Sequence, residues 1–123
     1  MKTNAGDPHR NLVDFAHIPV VKRLTRMPVC IDPSHSAGTR AASSDNILDI
    51  FHVTAQGVIA GANMILVDFH PKPEVALVDG AQALLLEELP YFLEDVRIAR
   101  EAYEQRCEAF RRFNLEKAKP EWQ

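Results

Sequence analysis

The sequence predicts an α/β fold, with one βαβ unit of two parallel strands followed by a long C-terminal helix. Three observations predict it. Residues 27–31 and 64–69 are short apolar runs containing Val and Ile, the pattern of buried strands. The stretch between them carries Ile47, Leu48, Phe51, Ala55, Val58 and Ile59 at helical spacing. Both faces of the second run are apolar, with Met64, Leu66 and Asp68 on one side and Ile65, Val67 and Phe69 on the other. That pattern suits a parallel sheet covered by helices and not an antiparallel edge open to water.

Each element follows from local chemistry. Residues 1–10 read as a disordered arm and residues 11–18 as irregular. Pro19 suits the first turn of a short helix over 20–24, where a proline forfeits no needed N–H. Arg26 and Asp32-Pro33 bound the first strand. A polar loop follows over 34–42. Ser43 or Ser44 is the expected N-cap of a helix over 45–60, and Gly61 its C-cap. Pro71 and Pro73 make 70–80 a loop, with room for one turn over 74–77. A helix over 87–114 is expected to bury Leu89, Leu93, Val96, Tyr103, Cys107 and Phe110, and to pair Glu with Arg on its remaining faces. Residues 116–123 are expected to fray, which leaves 11–115 as the folded segment.

Composition narrows the function. At 123 residues the chain is one domain at most. A net charge of -3 and a pI near 5.9 give no electrostatic case for nucleic acid. No apolar run approaches the roughly 20 residues of a membrane span, and the polar start has no signal-peptide core. Cys30 and Cys107 lack paired spacing and read as reduced thiols, so a cytoplasmic location is expected.

Polar residues gather where the strands end. Asp32, Ser34 and His35 follow the first run, and Asp68 and His70 close the second, with Asp79 in the loop beyond. Carboxyl ends of parallel strands are where α/β proteins place their chemistry. Imidazole and carboxylates on adjacent strand ends, roughly 5 Å apart, can converge on one divalent ion. The same residue types also serve as turn formers and surface hydrogen-bonding groups, and residue type alone does not choose. Ser34, Ser36, Gly38, Thr39 and Arg40 precede a helix start, where backbone donors favour anions. They are equally loop and cap residues.

The segment from Pro28 through Asp32-Pro33-Ser34-His35-Ser36-Ala37-Gly38-Thr39 to Arg40 resembles strand seven of 3-deoxy-D-arabino-heptulosonate 7-phosphate (DAHP) synthases. The segment from Val67-Asp68-Phe69-His70-Pro71 to Val78-Asp79-Gly80-Ala81-Gln82 resembles strand eight and its loop. Both look most like the branch related to 3-deoxy-octulosonate 8-phosphate synthases. Arg10-Asn11-Leu12-Val13-Asp14 with Ile18-Pro19 resembles that family's approach to strand seven, so the likeness spans roughly residues 11–106.

The resemblance implies part of a (β/α)8 TIM barrel, its C-terminal quarter. It implies condensation of phosphoenolpyruvate with erythrose 4-phosphate, the opening step of the shikimate route to aromatic amino acids. It implies a divalent metal (manganese, zinc or iron) held by His35, Asp68 and Asp79. Asp68 stands where the family has Glu and is one methylene shorter. Asp32 is expected to orient a ligand or substrate from behind, and Ser34, Ser36 and Arg40 to touch substrate. The family's metal-binding Cys and its phosphoenolpyruvate-anchoring Lys and Arg belong to strands with no counterpart among these residues, and Cys30 does not replace that Cys. Weak metal binding and no turnover by the chain alone are therefore expected. The expected partners are a complementing barrel chain or further copies of this one, with phosphorylated small molecules as substrates once assembled. A non-catalytic remnant or interaction module is the alternative.

Overall fold

In the computed structural model, residues 14–34, 40–42, 44–72 and 84–119 are described. The arm over 1–10, the turn over 74–77, Ser43 and the last four residues of the expected frayed tail lie outside them.

Helix α1 spans His17–Thr25 and starts earlier than Pro19 alone suggests. Asp14 explains the difference: its Oδ1 accepts the Ala16 N–H at 3.0 Å and anchors the first turn. The helix stops at Arg26, which takes the left-handed conformation and donates its N–H to the Lys22 carbonyl.

Strands β1 (Cys30–Ile31) and β2 (Met64–Ile65) pair in parallel, with Cys30 opposite Met64 and Ile31 opposite Ile65. The regular ladder is shorter than the apolar runs. Pro28 has no N–H to give it, and Pro33 follows two residues after the strand end. Hydrogen bonds from Asn63 N–H to Val29 O (2.8 Å) and from Leu66 N–H to Ile31 O (2.8 Å) extend the pairing on either side. The far end of the second run leaves this sheet. Strand β3 (Phe69–His70) pairs in parallel with β4 (Leu84–Leu85), a strand that the sequence reading did not anticipate. Its two leucines lead directly into the long helix and read as part of that helix's apolar approach.

Helix α2 spans Asp49–Ile59 and begins four residues later than expected. Asp45 and Asn46 form a turn instead: Asp45 Oδ1 accepts the Ile47 N–H at 2.9 Å and Asn46 has φ 64°. Leu48 is the N-cap, and Ser44 does not cap the helix. The Asp49 N–H donates to the Ala41 carbonyl at 2.8 Å, so the preceding loop supplies that acceptor from its backbone. At the other end Gly61, at φ 107°, does close the helix. Its N–H donates to Val58 O and that of Ala62 to Gly57 O, both at 3.0 Å, a Schellman arrangement. Two cations finish the job: Lys22 Nζ donates to Gly61 O and Arg106 Nη1 to Ile59 O, each at 2.9 Å. Gly57 lies against Ile31, and a Cβ there would collide with the Ile31 side chain, so its smallness lets α2 sit close on β1.

A 3-10 turn, Leu86–Glu88, leads into helix α3, Leu89–Lys117. Its first half packs on α2 through Leu89, Phe92, Val96, Ala99 and Tyr103, a 3-4 alternation. The expected stripe is corrected in three places, since Leu93, Cys107 and Phe110 are exposed. Leu93 falls one position off the line that faces α2. Cys107 and Phe110 lie beyond Ile59, where α2 ends and Arg106 reaches its last carbonyls.

The core is one layer thick. Ile50, Phe51, Leu84 and Phe92 form its buried centre, with Ile65, Val67, Phe69 and Val96 packed around it. Phe69 meets Phe92 edge-on at 5.4 Å and Phe51 meets Tyr91 at 4.9 Å. The helices therefore cover the Ile65, Val67 and Phe69 face. The opposite face stays open, with Met64 63% and Leu66 57% exposed beside exposed Cys30 and Asp68. Expected cover on both faces is thus found on one.

Truncating Phe92 to Ala is expected to cost about 3–5 kcal/mol, whereas Leu93→Ala changes stability by about 0.5 kcal/mol or less. Urea unfolding followed by circular dichroism measures both. Equal losses would refute the assigned helix face.

Candidate strand-end site

Asp32 follows β1 and is half-buried; Pro33 and Ser34 behind it are buried. Ser34 is 1% exposed, and its hydroxyl has no hydrogen-bond partner among the described residues. An unsatisfied buried hydroxyl costs about 1–3 kcal/mol, so this strand end carries a polar group with unused bonding capacity. The parallel register carries Cys30, Met64, Leu66 and Asp68 onto the same open face. Asp68 is exposed there, and its carbonyl accepts the Leu84 N–H at 2.7 Å. That bond fixes the strand end from which the carboxylate projects. His70 is half-buried, and its Nδ1 accepts the Lys72 N–H at 2.9 Å. This bond places the ring proton on Nε2 when the imidazole is neutral.

Arg40, expected at substrate, forms a bidentate bridge with Glu88 in this structure. Its Nη1 and Nη2 donate to Glu88 Oε1 (3.1 Å) and Oε2 (2.9 Å). Glu88 also accepts the Leu85 N–H at 2.7 Å. One carboxylate thus ties the loop after β1 to β4 and to the start of α3. Burial pushes the Glu88 carboxyl up, but Arg40 and the Leu85 N–H outweigh it and hold the group below the ordinary glutamate range. Nothing in the spacing of the sequence singled out Glu88, because its partner is 48 residues away.

The parallel strands bring Asp32 and Asp68 to neighbouring strand ends. His35, Ser36 and Asp79 lie outside the described residues. Among the described residues, no three His, Cys, Asp or Glu side chains stand close enough to hold a metal ion, and no helix is long and apolar enough to cross a membrane.

A parallel β–α–β wall with its polar groups at the strand ends is the repeating unit of a TIM-barrel enzyme. Residues 1–104 match the DAHP synthetase I family, and the chain belongs to it. It is 31% identical over 88 residues to the phospho-2-dehydro-3-deoxyheptonate aldolase of Thermotoga maritima, covering 72% of this chain and 24% of that protein. It is 35% identical over 94 residues to the 2-dehydro-3-deoxyphosphooctonate aldolase of Dichelobacter nodosus, covering 72% and 34%. The crystal structure of the Thermotoga maritima DAHP synthase superposes with a TM-score of 0.66 at 29% identity, over 80% of this chain and 27% of that one. The chain therefore spans about a quarter to a third of the length of these relatives. The fold is that of a DAHP-synthase barrel region, with two small parallel sheets, a long helix and no closed barrel among the described residues.

The Arg40–Glu88 bridge predicts a pH dependence. A carboxylate held below its unfolded value stabilises the fold above that value, and the contribution is lost as pH falls through the folded value. Glu88→Gln should therefore cost about 1 kcal/mol at pH 7. The gap to the parent should close as pH falls through and below the ordinary glutamate range. Thermal melts across that range measure it, and a gap constant with pH would contradict the assignment.

Proposed function

We propose that this chain supplies the strand-seven and strand-eight wall of a DAHP-synthase-type barrel, which condenses phosphoenolpyruvate with erythrose 4-phosphate. The observation that carries the reading is the open sheet face ending in Asp68, with Asp32 and buried Ser34 following the strand paired with it. In a barrel that face points inward, where neighbouring strands bury Met64 and Leu66 and the strand ends bound the reaction site.

His35, Asp68 and Asp79 would hold the divalent metal. One imidazole and two carboxylates suit manganese, iron or zinc. Asp68 fits, since its strand end is fixed and its side chain is exposed on the open face. When bound, the ion would polarise the aldehyde carbonyl of the acceptor and orient a water. The remaining work falls to the chain's own groups. Asp32 would orient a ligand or a substrate hydroxyl from the adjacent strand end. Ser34 would donate its hydroxyl to substrate, as would Ser36. Arg40 would reach a substrate phosphate only by leaving Glu88, so substrate binding and the bridge compete.

A second reading, a non-catalytic module that docks its open face on another subunit, is favoured by the same exposed Met64 and Leu66. Catalysis separates the two. The chain alone should not consume phosphoenolpyruvate with erythrose 4-phosphate and manganese. Adding a barrel fragment with strands one to six should give turnover that is lost in His35→Ala and Asp79→Ala and kept in Asp68→Glu. A folded complement that binds without turnover would favour the docking module. Calorimetric titration with manganese checks the metal set: weak binding should vanish in His35→Ala, and tight binding that survives would contradict it.

A further inference from the structure

The Arg40–Glu88 bridge can open without stranding a buried group. Glu88 Oε1 accepts from Arg40 Nη1 at 3.1 Å and from the Leu85 N–H at 2.7 Å, while Oε2 accepts from Arg40 Nη2 at 2.9 Å. If Arg40 leaves, the Leu85 N–H keeps its acceptor, and the Glu88 side chain, 19% exposed, reaches water. The Arg40 side chain is more open, at 36%, so a dissolved anion can approach it. The backbone beside Arg40 is held independently of the bridge. The Asp49 N–H donates to the Ala41 carbonyl at 2.8 Å, and Ala42 pairs with Leu48 at the start of α2. Opening the bridge therefore frees a guanidinium on a fixed stretch of chain. Arg40 is also the charged group that acts on the Glu88 carboxyl, beside the Leu85 N–H.

On the reading above, in which Arg40 serves the substrate site, we propose that Glu88 is a specificity-determining residue that acts through Arg40. It occupies the guanidinium as an internal carboxylate, so that Arg40 accepts the phosphate of a ligand and refuses a carboxylate. The competition is one of charge and tethering. A carboxylate held on the same fold competes at an effective concentration of about a millimolar or more. A free carboxylate offers the same charge and the same two-oxygen fork, so it gains nothing by exchange. A phosphate ester brings a second negative charge and a third acceptor oxygen to the same fork geometry. The distinction matters for a substrate that carries both groups, as phosphoenolpyruvate does, because it decides which end of the molecule faces the loop after β1. Glu88 itself touches no substrate; its effect is on which anion Arg40 takes.

Nitrogen NMR of the full chain tests it. The Arg40 Nε–H resonance, assigned by its loss in Arg40→Lys, is followed near pH 6.5 while sulfate or acetate is added at matched ionic strength. Sulfate stands in for the phosphate group because it keeps two charges across the whole range, and acetate stands in for a carboxylate. In the parent, sulfate should move the Arg40 resonance and acetate should not. In Glu88→Gln, which keeps an oxygen for the Leu85 N–H, sulfate should bind at least threefold more tightly and acetate binding should become detectable. As pH falls and Glu88 takes up a proton, the sulfate affinity of the parent should rise to meet that of Glu88→Gln. Circular dichroism checks that both variants are folded. Equal sulfate affinity in the parent and Glu88→Gln overturns the proposal and leaves a bridge that only holds the loop to α3. So does acetate that matches sulfate in the parent, and so does sulfate that leaves the Arg40 resonance unmoved in both proteins. The measurement needs neither a complete barrel nor turnover, so its failure counts against Glu88 and not against the proposed function.

Discussion

The contact between α2 and the first half of α3, closed over Leu84, is what the rest of the structure depends on. Two-residue parallel ladders do not hold themselves together. Here Phe69 and Phe92 pack edge-on across that contact, and Ile50, Phe51 and Leu84 fill it. The sheets are therefore positioned from behind, by helices, and the strand ends inherit their placement from this layer. Gly57 lets α2 approach β1, while Lys22 and Arg106 tie the end of α2 to α1 and α3.

Support from one side explains the rest of the molecule. Side chains of even number along the second run point away from the helices, which leaves Met64 and Leu66 in solvent and Asp68 at the end of the same face. An open apolar face of this kind is one that a barrel interior or another subunit would cover. The Ser34 hydroxyl at the neighbouring strand end, without a partner among the described residues, fits that state. The Arg40–Glu88 bridge holds the loop after β1 to the start of α3, and so keeps the site's rim attached to its support.

Much of this was legible in the sequence, and what was not has a physical reason. The alternation of Met64, Leu66 and Asp68 against Ile65, Val67 and Phe69 is local, and the structure keeps it. Gly61 closes α2 as its position suggests, because a left-handed cap is a local requirement. Asp45-Asn46 misled because side-chain bonding to the backbone competes with a helical first turn, and a loop carbonyl capped α2 instead. Leu84–Leu85 was missed because two residues carry no period. The buried line of α3 was off at Leu93, Cys107 and Phe110 because it depends on where α2 crosses and stops, which is not local. Glu88 was invisible for the same reason, its partner being distant in sequence. Asp68 was singled out by family pattern and strand position together; that Ser34 is buried emerged only from the packing.

The central claim is that the face bearing Cys30, Met64, Leu66 and Asp68 is the inward face of a barrel wall. Cys30 reports on it directly, since its thiol is exposed on that face. In a Cys107→Ser background, the rate of alkylation of Cys30 should be that of an open thiol in the chain alone. It should fall at least tenfold when a fragment carrying strands one to six of the family barrel is bound. A Cys30 that stays equally reactive in the isolated complex would contradict the account.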